Sequence, residues 1–539
     1  MEAKDFEAHV RQCASCSTEL AAFSDVREAM GEWRQQALGF YGTDLGWTFA
    51  HGGEMWVMFG DTWGSWAADS IAPDADDALA KISLREFPDG DSVERWVTAH
   101  PGEPRKPGWH AEAPRMEVAL DAAGKPVPVR PVRDGVSLTS GPGLTPMTGF
   151  SNARTGAEAG AFSLFLQNEP VQCKADKSCD NGFECDPGVG QCAPLTVLSA
   201  PCVIGTTSCE CVKVGPGLCQ DRKSSVYAAD SERGRSHSVV MRQQVGNALR
   251  DDWTRFASRS WDTRRFYNAT ARTVNDFDPA QPARADVDYA PADGRRPERE
   301  GVFVWGRPNF GGVRAVGRDA QLYLAWVPMP TYDARGQFRW EPRFFAGLDP
   351  QGRPRFTPRE IDAKPLDLDA NAPGDQPEEL KDLVGQMSIS WVPSLRRWVM
   401  MYGGGIGAGL TRLIFGADAN ELDLDPLGSI HIRYADQPWG PWTPPEPLLV
   451  AGAPERGVLG QYGPGGILHH GQCLQEGCAP GELAFLLQPR EWGRLYAPNI
   501  IDPWTETRAD GAVDLYWHVS TWAPYQVVLM RTRLTQPAR

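Results

Sequence analysis

Short apolar runs broken by Gly, Pro and Asp dominate the chain from about residue 40 onward. LGWTFA, MWVMFG, AFSLFL, GVFVWG, LYLAWV, SISWV, RWVMMYG, SIHIRYA, LAFLL, DLYWHVS and YQVVLM are of strand length and rich in Val, Ile, Phe, Tyr and Trp. They fall into groups at roughly 40–66, 145–170, 300–345, 385–450 and 460–539. Several groups share one order: a Gly- or Pro-marked start, a strand, a turn, then a second strand ending in a polar residue. Such loose repetition predicts an all-β protein with radially arranged sheets, as in a β-propeller, which leaves few open edges. A sandwich or jelly roll is the alternative. Helical spacing is confined to 20–37, including DVREAMGEWRQQAL, and to 239–259. Residues 1–37 therefore read as a partly helical N-terminal extension. Residues 223–300 read as an inserted loop and helical segment, whose Pro-rich end, 275–300, is a surface loop.

Composition sharpens this picture. Gly (56) and Pro (45) make up about a fifth of the 539 residues, against a typical ~12%, which favours turns over long helices. A hydrophobic fraction of 41% with 23% charged residues excludes a disordered tail and a membrane bundle. No apolar run reaches the ~20 residues of a membrane helix, so no membrane span is expected. The net charge of −15 argues against a nucleic-acid partner. The 20 tryptophans fill cores or stack on sugar rings, so their number favours a carbohydrate partner without marking a platform.

Of the 12 cysteines, eight lie between Cys173 and Cys219: Cys173, Cys179, Cys185, Cys192, Cys202, Cys209, Cys211 and Cys219. This polar, Gly-rich stretch cannot build a core of its own, and disulfides would supply the missing constraint. A disulfide-rich insertion over 171–222 is therefore expected. Zinc is the rival, disfavoured by irregular spacing and the lack of His in the cluster. Cys13 and Cys16 form a C-x-x-C without βαβ context, and Cys473 and Cys478 form a local pair. Disulfides imply a secreted or cell-envelope protein, although the opening MEAKDFEAHV holds no apolar leader.

The most informative segment is YGTDLGWTFAHGGEMWVMFGDTWGSW, residues 41–66. Gly52-Gly53 is a two-residue hairpin signal. With those residues as the loop, His51 faces Glu54, Phe49 faces Trp56, Trp47 faces Met58 and Asp44 faces Asp61. Directly opposed residues have Cβ atoms about 4.5–5.5 Å apart, and opposed like charges destabilise a sheet unless function requires them. Two close carboxylates push their pKa values apart, which is the division a glycosidase acid and its nucleophile or base require. The alternative is that the aspartates only cap turns, and a one-residue register change would put them on opposite faces.

The T-D-L-G opening and the closing F-G-D-T-W, Phe59 to Trp63, resemble a family of secreted bacterial five-bladed β-propellers, some of whose members are endo-D-arabinanases. The end of the chain is similar as well, with a Y-x-P element at Tyr496 and S-x-W-x-P-Y at Ser520 to Tyr525. GVFVWGRPNF (301–310) and RYADQPWGPWTPP (433–445) also fit. The resemblance covers most of 38–539 in patches. It implies a five-bladed propeller over 38–539, a glycosidase site at the channel end with Asp44 and Asp61 as catalytic carboxylates, and a furanosidic polysaccharide such as D-arabinan as substrate. The Cys-rich insertion, the 223–300 insertion and the N-terminal extension depart from its simplest members.

Further candidates lie near strand ends. Gln167 and Asn168 can bind sugar hydroxyls or simply end a strand, and Arg307 and Asn309 follow VFVWG in a similar position. Arg307 orients a substrate group or makes a salt bridge. Trp63, Trp492 and Arg494 complete the expected substrate-binding set, with Glu491 beside them. His518 reads as packing rather than a proton carrier. Asp418, Asp423 and Asp425 lack the Gly and final Glu of a calcium loop, and Gly403-Gly404-Gly405 lacks a P-loop context. No metal or cofactor is expected, and a monomer is. The rival functions are a non-catalytic carbohydrate-binding or adhesion propeller and a protein-interaction surface on the Cys-rich insertion.

Overall fold

The structure, a computed structural model, describes residues 27–32, 43–62, 76–100, 113–118, 130–133, 136–137, 145–152, 160–168, 183–186, 191–194, 211–215, 218–221, 236–243, 252–255, 265–266, 268–275, 277, 299–307, 321–329, 331–332, 338–368, 384–403, 429–450, 495–521 and 526–534. The first strand, β1 (Arg27–Glu32), belongs to the sheet built by the end of the chain. The first complete sheet holds β2 (Leu45–His51), β3 (Glu54–Thr62), β4 (Asp76–Ser83) and β5 (Glu117–Val118) in chain order. Between β4 and β5 lies α1 (Gly90–Ala99), the one α-helix among the described residues.

The next sheet draws on β6 (Arg130–Arg133), β7 (Val136–Ser137), β8 (Thr145–Asn152), β9 (Gly160–Asn168), β14 (Ser236–Gln243) and β15 (Asp252–Arg255). Two small hairpins, β10 (Phe183–Asp186) with β11 (Gln191–Pro194) and β12 (Cys211–Gly215) with β13 (Leu218–Asp221), lie between β9 and β14 in the chain. A third sheet contains β16 (Asn268–Val274), β17 (Gly301–Arg307), β18 (Tyr323–Pro328), β21 (Arg343–Leu348) and β22 (Pro354–Thr357), with β19 (Thr331–Tyr332) and β20 (Phe338–Arg339) as a side hairpin. A fourth has β23 (Met387–Val392), β24 (Arg397–Gly403), β25 (Ser429–Ala435) and β26 (Glu446–Val450). In the last, β27 (Leu495–Ile500), β29 (Val513–Thr521), β30 (Gln526–Leu534) and β1 run side by side, and β28 (Glu506–Thr507) pairs with β29.

The sheets form a β-propeller arrangement. Strand β2 lies beside β8, β8 beside β16, β16 beside β23, β23 beside β27, and β27 beside β2. Apolar clusters fill the wedges between sheets. One joins Met147 and Phe150 to Val302 and Val304, and the next joins Trp305 and Trp326 to Trp391, Trp398, Trp439 and Trp442. A third joins Met401 and Ile432 to Trp517 and Met530, and a fourth joins Val57 and Phe59 to Tyr516 and Leu529. Each buried aromatic removes roughly 150–250 Å² from water, so much of the tryptophan excess serves wedge packing. Between β2 and β8 the fit is closer. A Cβ on Gly149 would fall 2.1 Å from the Phe49 ring, so only glycine fits there.

Inner strands of separate sheets share no backbone ladder, so short polar side chains join them instead. Thr48 Oγ1 donates to Asn499 Oδ1 at 2.5 Å, and His51 Nδ1 lies 2.7 Å from Ser151 Oγ. The Ala271 N–H donates to Thr148 Oγ1 at 3.1 Å, and the Ile500 N–H to Ser388 Oγ at 3.1 Å. Asp502 accepts from Ser390 and pairs with Arg272.

Several sequence expectations are corrected. Four sheets are wholly antiparallel blades, whereas β15 and β6 run parallel in the six-stranded sheet, so the expected five blades reduce to four regular ones. Within the expected helical extension of 1–37, the described residues form strand β1, because pairing with β30 outweighs the helical propensity of REAMGE. The described residues of 223–300 form β14, β15 and the inner strand β16 and hold no helix of the expected kind, and Val239 and Val240 suit a strand between two others. Within 171–222 the backbone pairs Cys185 with Cys192, but the cysteine sulfurs lie outside the described residues. No helix among the described residues is long and apolar enough to cross a membrane.

The unexpected helix α1 begins with Asp89, whose Oδ1 accepts the Ser92 N–H at 2.8 Å. It docks on the last sheet through charge. Arg508 pairs with Asp91, Glu94, Glu506 and the fully buried Asp514, which Arg533 also contacts at 2.8 Å. Burial alone would raise the Asp514 carboxyl, but hydrogen bonds from Arg533 and Arg508 outweigh it and hold the group below its usual range. This stabilisation is present above the unfolded value of about 3.9 and disappears as pH falls through the lower folded value. At neutral pH, Asp514→Asn should cost about 2–3 kcal/mol, below the value for a fully buried pair because both arginines are partly exposed. In thermal unfolding the gap from wild type should be widest at neutral pH and close as the pH falls below about 4.

Candidate active site

The hairpin of β2 and β3 turns where the sequence placed it. Gly52 and Gly53 have φ of 63° and 83°, the left-handed values a tight hairpin turn requires. His51 opposes Glu54, Phe49 opposes Trp56, and Trp47 opposes Met58 as expected. Beyond Trp47 the register shifts. One extra residue on β2 brings Leu45 opposite Phe59, and the Gly60 N–H donates to the Asp44 carbonyl at 3.0 Å. Asp44 therefore lies across from Gly60 and not from Asp61, which corrects the expected pairing. Both residues remain at the same end of the hairpin. The side chain of Asp61 lies outside the described residues.

The shift has a local cause. Leu45 and Gly46 adopt φ of 60° and 71°, the geometry of a β-bulge. A Cβ on Gly46 would meet Val527 at 3.2 Å and His518 at 3.4 Å, so this position favours glycine in conformation and in space. Strand β27 contains a matching irregularity. Its register with β29 shifts between Tyr496 and Asn499, and Ala497 has φ of 48°. Two non-glycine residues in the left-handed region thus flank one point of the ring.

At that point Asp44 and Tyr496 meet. The Tyr496 hydroxyl donates to Asp44 Oδ2 at 2.7 Å, and Asp44 is only 7% exposed. Oδ1 lies over Gly60, where a Cβ would approach it to 2.3 Å. The Ser520 hydroxyl donates to the Leu45 carbonyl at 3.3 Å, tying the bulge to β29. The carboxylate is thereby fixed in place by side chains and backbone from two sheets.

His518 lies beneath the bulge, fully buried. Burial pushes its imidazole down to about 3, with a backbone hydrogen bond at Gly46 opposing weakly, so it is neutral at ordinary pH. It is a packing residue, in line with its mid-strand position.

Arg307 ends β17 opposite Asn268, the first residue of β16, and is fully buried rather than exposed in a surface salt bridge. Gln167 and Asn168 end β9, paired through their backbones with His237 and Ser236, and their side chains lie outside the described residues. Trp63, Asn309, Glu491, Trp492, Arg494 and the Asp418–Asp425 segment also lie outside them. Tyr496, part of the Y-x-P element, joins the site although its own segment carries no sign of that role. The proline after Ala497 signals an irregular strand start, whereas the contact of Tyr496 with Asp44 depends on ring closure. Among the described residues, no three His, Cys, Asp or Glu side chains converge as a metal site would require.

In comparisons with known proteins, no family model matches the chain and no curated protein matches it.

Gly60→Ala should force Asp44 and Leu45 aside, since its Cβ would also fall 2.6 Å from the Leu45 side chain. The expected loss is about 1–3 kcal/mol, read as a lowered midpoint in denaturant unfolding with an unchanged slope.

Proposed function

We propose that the protein is a glycoside hydrolase that cleaves furanosidic polysaccharide, with D-arabinan the favoured glycan. Asp44 and Asp61 are its carboxylate pair. In this reading one carboxyl group protonates the leaving glycosidic oxygen, while the other attacks the anomeric carbon or activates the water that does. The cysteines of 173–219 are disulfide-bonded, and the protein works outside the cytoplasm. Gln167, Asn168 and Asn309, together with Trp63, Trp492 and Arg494, bind the glycan around the pair, while the fully buried Arg307 makes no direct contact with it.

The observation that carries this reading is the Asp44 carboxylate. It is buried at the start of an inner strand, held by Tyr496, and flanked by left-handed residues of the kind that cluster at functional sites. A second acid, Asp61, follows one residue after the glycine that Asp44 faces. The shape of the ring does not itself fix a reaction. The low exposure of Asp44 also favours a second reading, a non-catalytic carbohydrate-binding propeller in which Asp44 is structural.

Incubation with arabinogalactan separates the two. Wild type should release oligosaccharides, detected by chromatography and reducing-end assay. Asp44→Asn and Asp61→Asn should each lower the rate by about 10²–10⁴-fold or more while unfolding at temperatures close to wild type. Wild-type protein that binds glycan without cleaving it would support the second reading. Undiminished turnover in both variants would remove the assignment of the pair.

A further inference from the structure

The contact between Tyr496 and Asp44 bears on which carboxylate does what. Its 2.7 Å separation is that of a well-formed hydroxyl hydrogen bond, and both residues are buried. A donor aimed at a carboxylate favours its ionised form and fixes its rotamer. The other oxygen lies over Gly60, where no side chain could stand without displacing it. The backbone at both ends of the contact is held in an unfavourable conformation, at Leu45 beside Asp44 and at Ala497 beside Tyr496. Two such distortions converging on one hydrogen bond exceed what the neighbouring ladders need, since β2 with β3 and β29 with β30 pair regularly over most of their length.

We propose that Tyr496 is a positioning residue that holds Asp44 as the ionised member of the pair, leaving Asp61 to carry the proton. This rests on the hydrolase reading above for its role in a reaction. In the reaction, Asp61 gives its proton to the departing sugar oxygen as the glycosidic bond breaks. Asp44 bonds to the anomeric carbon or takes a proton from the attacking water, and water supplies the balance in either case. Tyr496 keeps its own proton throughout.

Tyr496→Phe removes only the hydroxyl and leaves the ring in place. The expected result is a kcat lowered about tenfold or more, with KM within about twofold of wild type. The acid limb of kcat/KM, which reports the base in the free enzyme, should move to higher pH by about one unit. A purely structural tyrosine would lower stability and leave that limb in place. Independently of any substrate, the Asp44 carboxyl carbon can be followed by NMR in aspartate-labelled protein, using Asp44→Asn for assignment. It should titrate lower in wild type than in Tyr496→Phe. Identical titration in the two proteins overturns the inference whatever the activity. A shifted titration in a protein that cleaves no glycan leaves the positioning contact standing and removes the hydrolase reading instead.

Discussion

The seam where β2 runs beside β27 is the contact on which the candidate site depends. It joins residues 452 positions apart, Asp44 to Tyr496, and is reinforced by Thr48 on Asn499. Neither sheet could hold it alone, because each supplies one partner. The seam closes because β1 lies against β30, so the last sheet contains both ends of the described chain. The entropy of bringing distant segments together grows only slowly with their separation, so many modest contacts can offset it. Here those contacts are the wedge clusters and the short polar bridges between inner strands.

Packing and chemistry place different demands on the same strands. From Trp47 to His51 the ladder of β2 is regular, and Thr48 there bridges to Asn499 of β27. At the start of β2 and between Tyr496 and Asn499 of β27 the ladder is interrupted, and Leu45, Gly46 and Ala497 take left-handed conformations. The interruption turns Asp44 away from a simple cross-strand neighbour and towards a residue of another sheet. A regular hairpin would have opposed Asp44 to Asp61, a repulsive pair in a ladder. The bulge replaces that arrangement with a glycine beneath the carboxylate and a phenol beside it.

Much of the architecture could be read from the sequence, because strands announce themselves through apolar runs and turns through glycine. Gly52-Gly53 gave the hairpin loop and the register as far as Trp47. The register beyond Trp47 was not legible, since nothing local distinguishes a bulge at Gly46 from an ordinary glycine in a strand. REAMGE has helical spacing, while the strand it forms is imposed by β30. Helix α1 went unnoticed although Asp89 and Ser92 have the spacing of a reciprocal cap. The role of Tyr496 was invisible for a different reason: it depends on a neighbour at the other end of the chain. Wedge packing accounts for tryptophans such as Trp305, Trp398 and Trp517, whose number leaves core filling and sugar stacking both open.

Strands β9 and β14 pair directly, with Asn168 opposite Ser236, although 169–235 and its cysteine cluster lie between them in the chain. The long excursion therefore departs from and returns to adjacent points on one rim. Lengthening or exchanging such an excursion leaves the ladder on either side intact, and each doubling of its length adds only about 0.6 kcal/mol of closure cost. A lineage carrying this ring could accordingly trade whole cassettes at that rim, diversifying its periphery while the strands beneath stay unaltered.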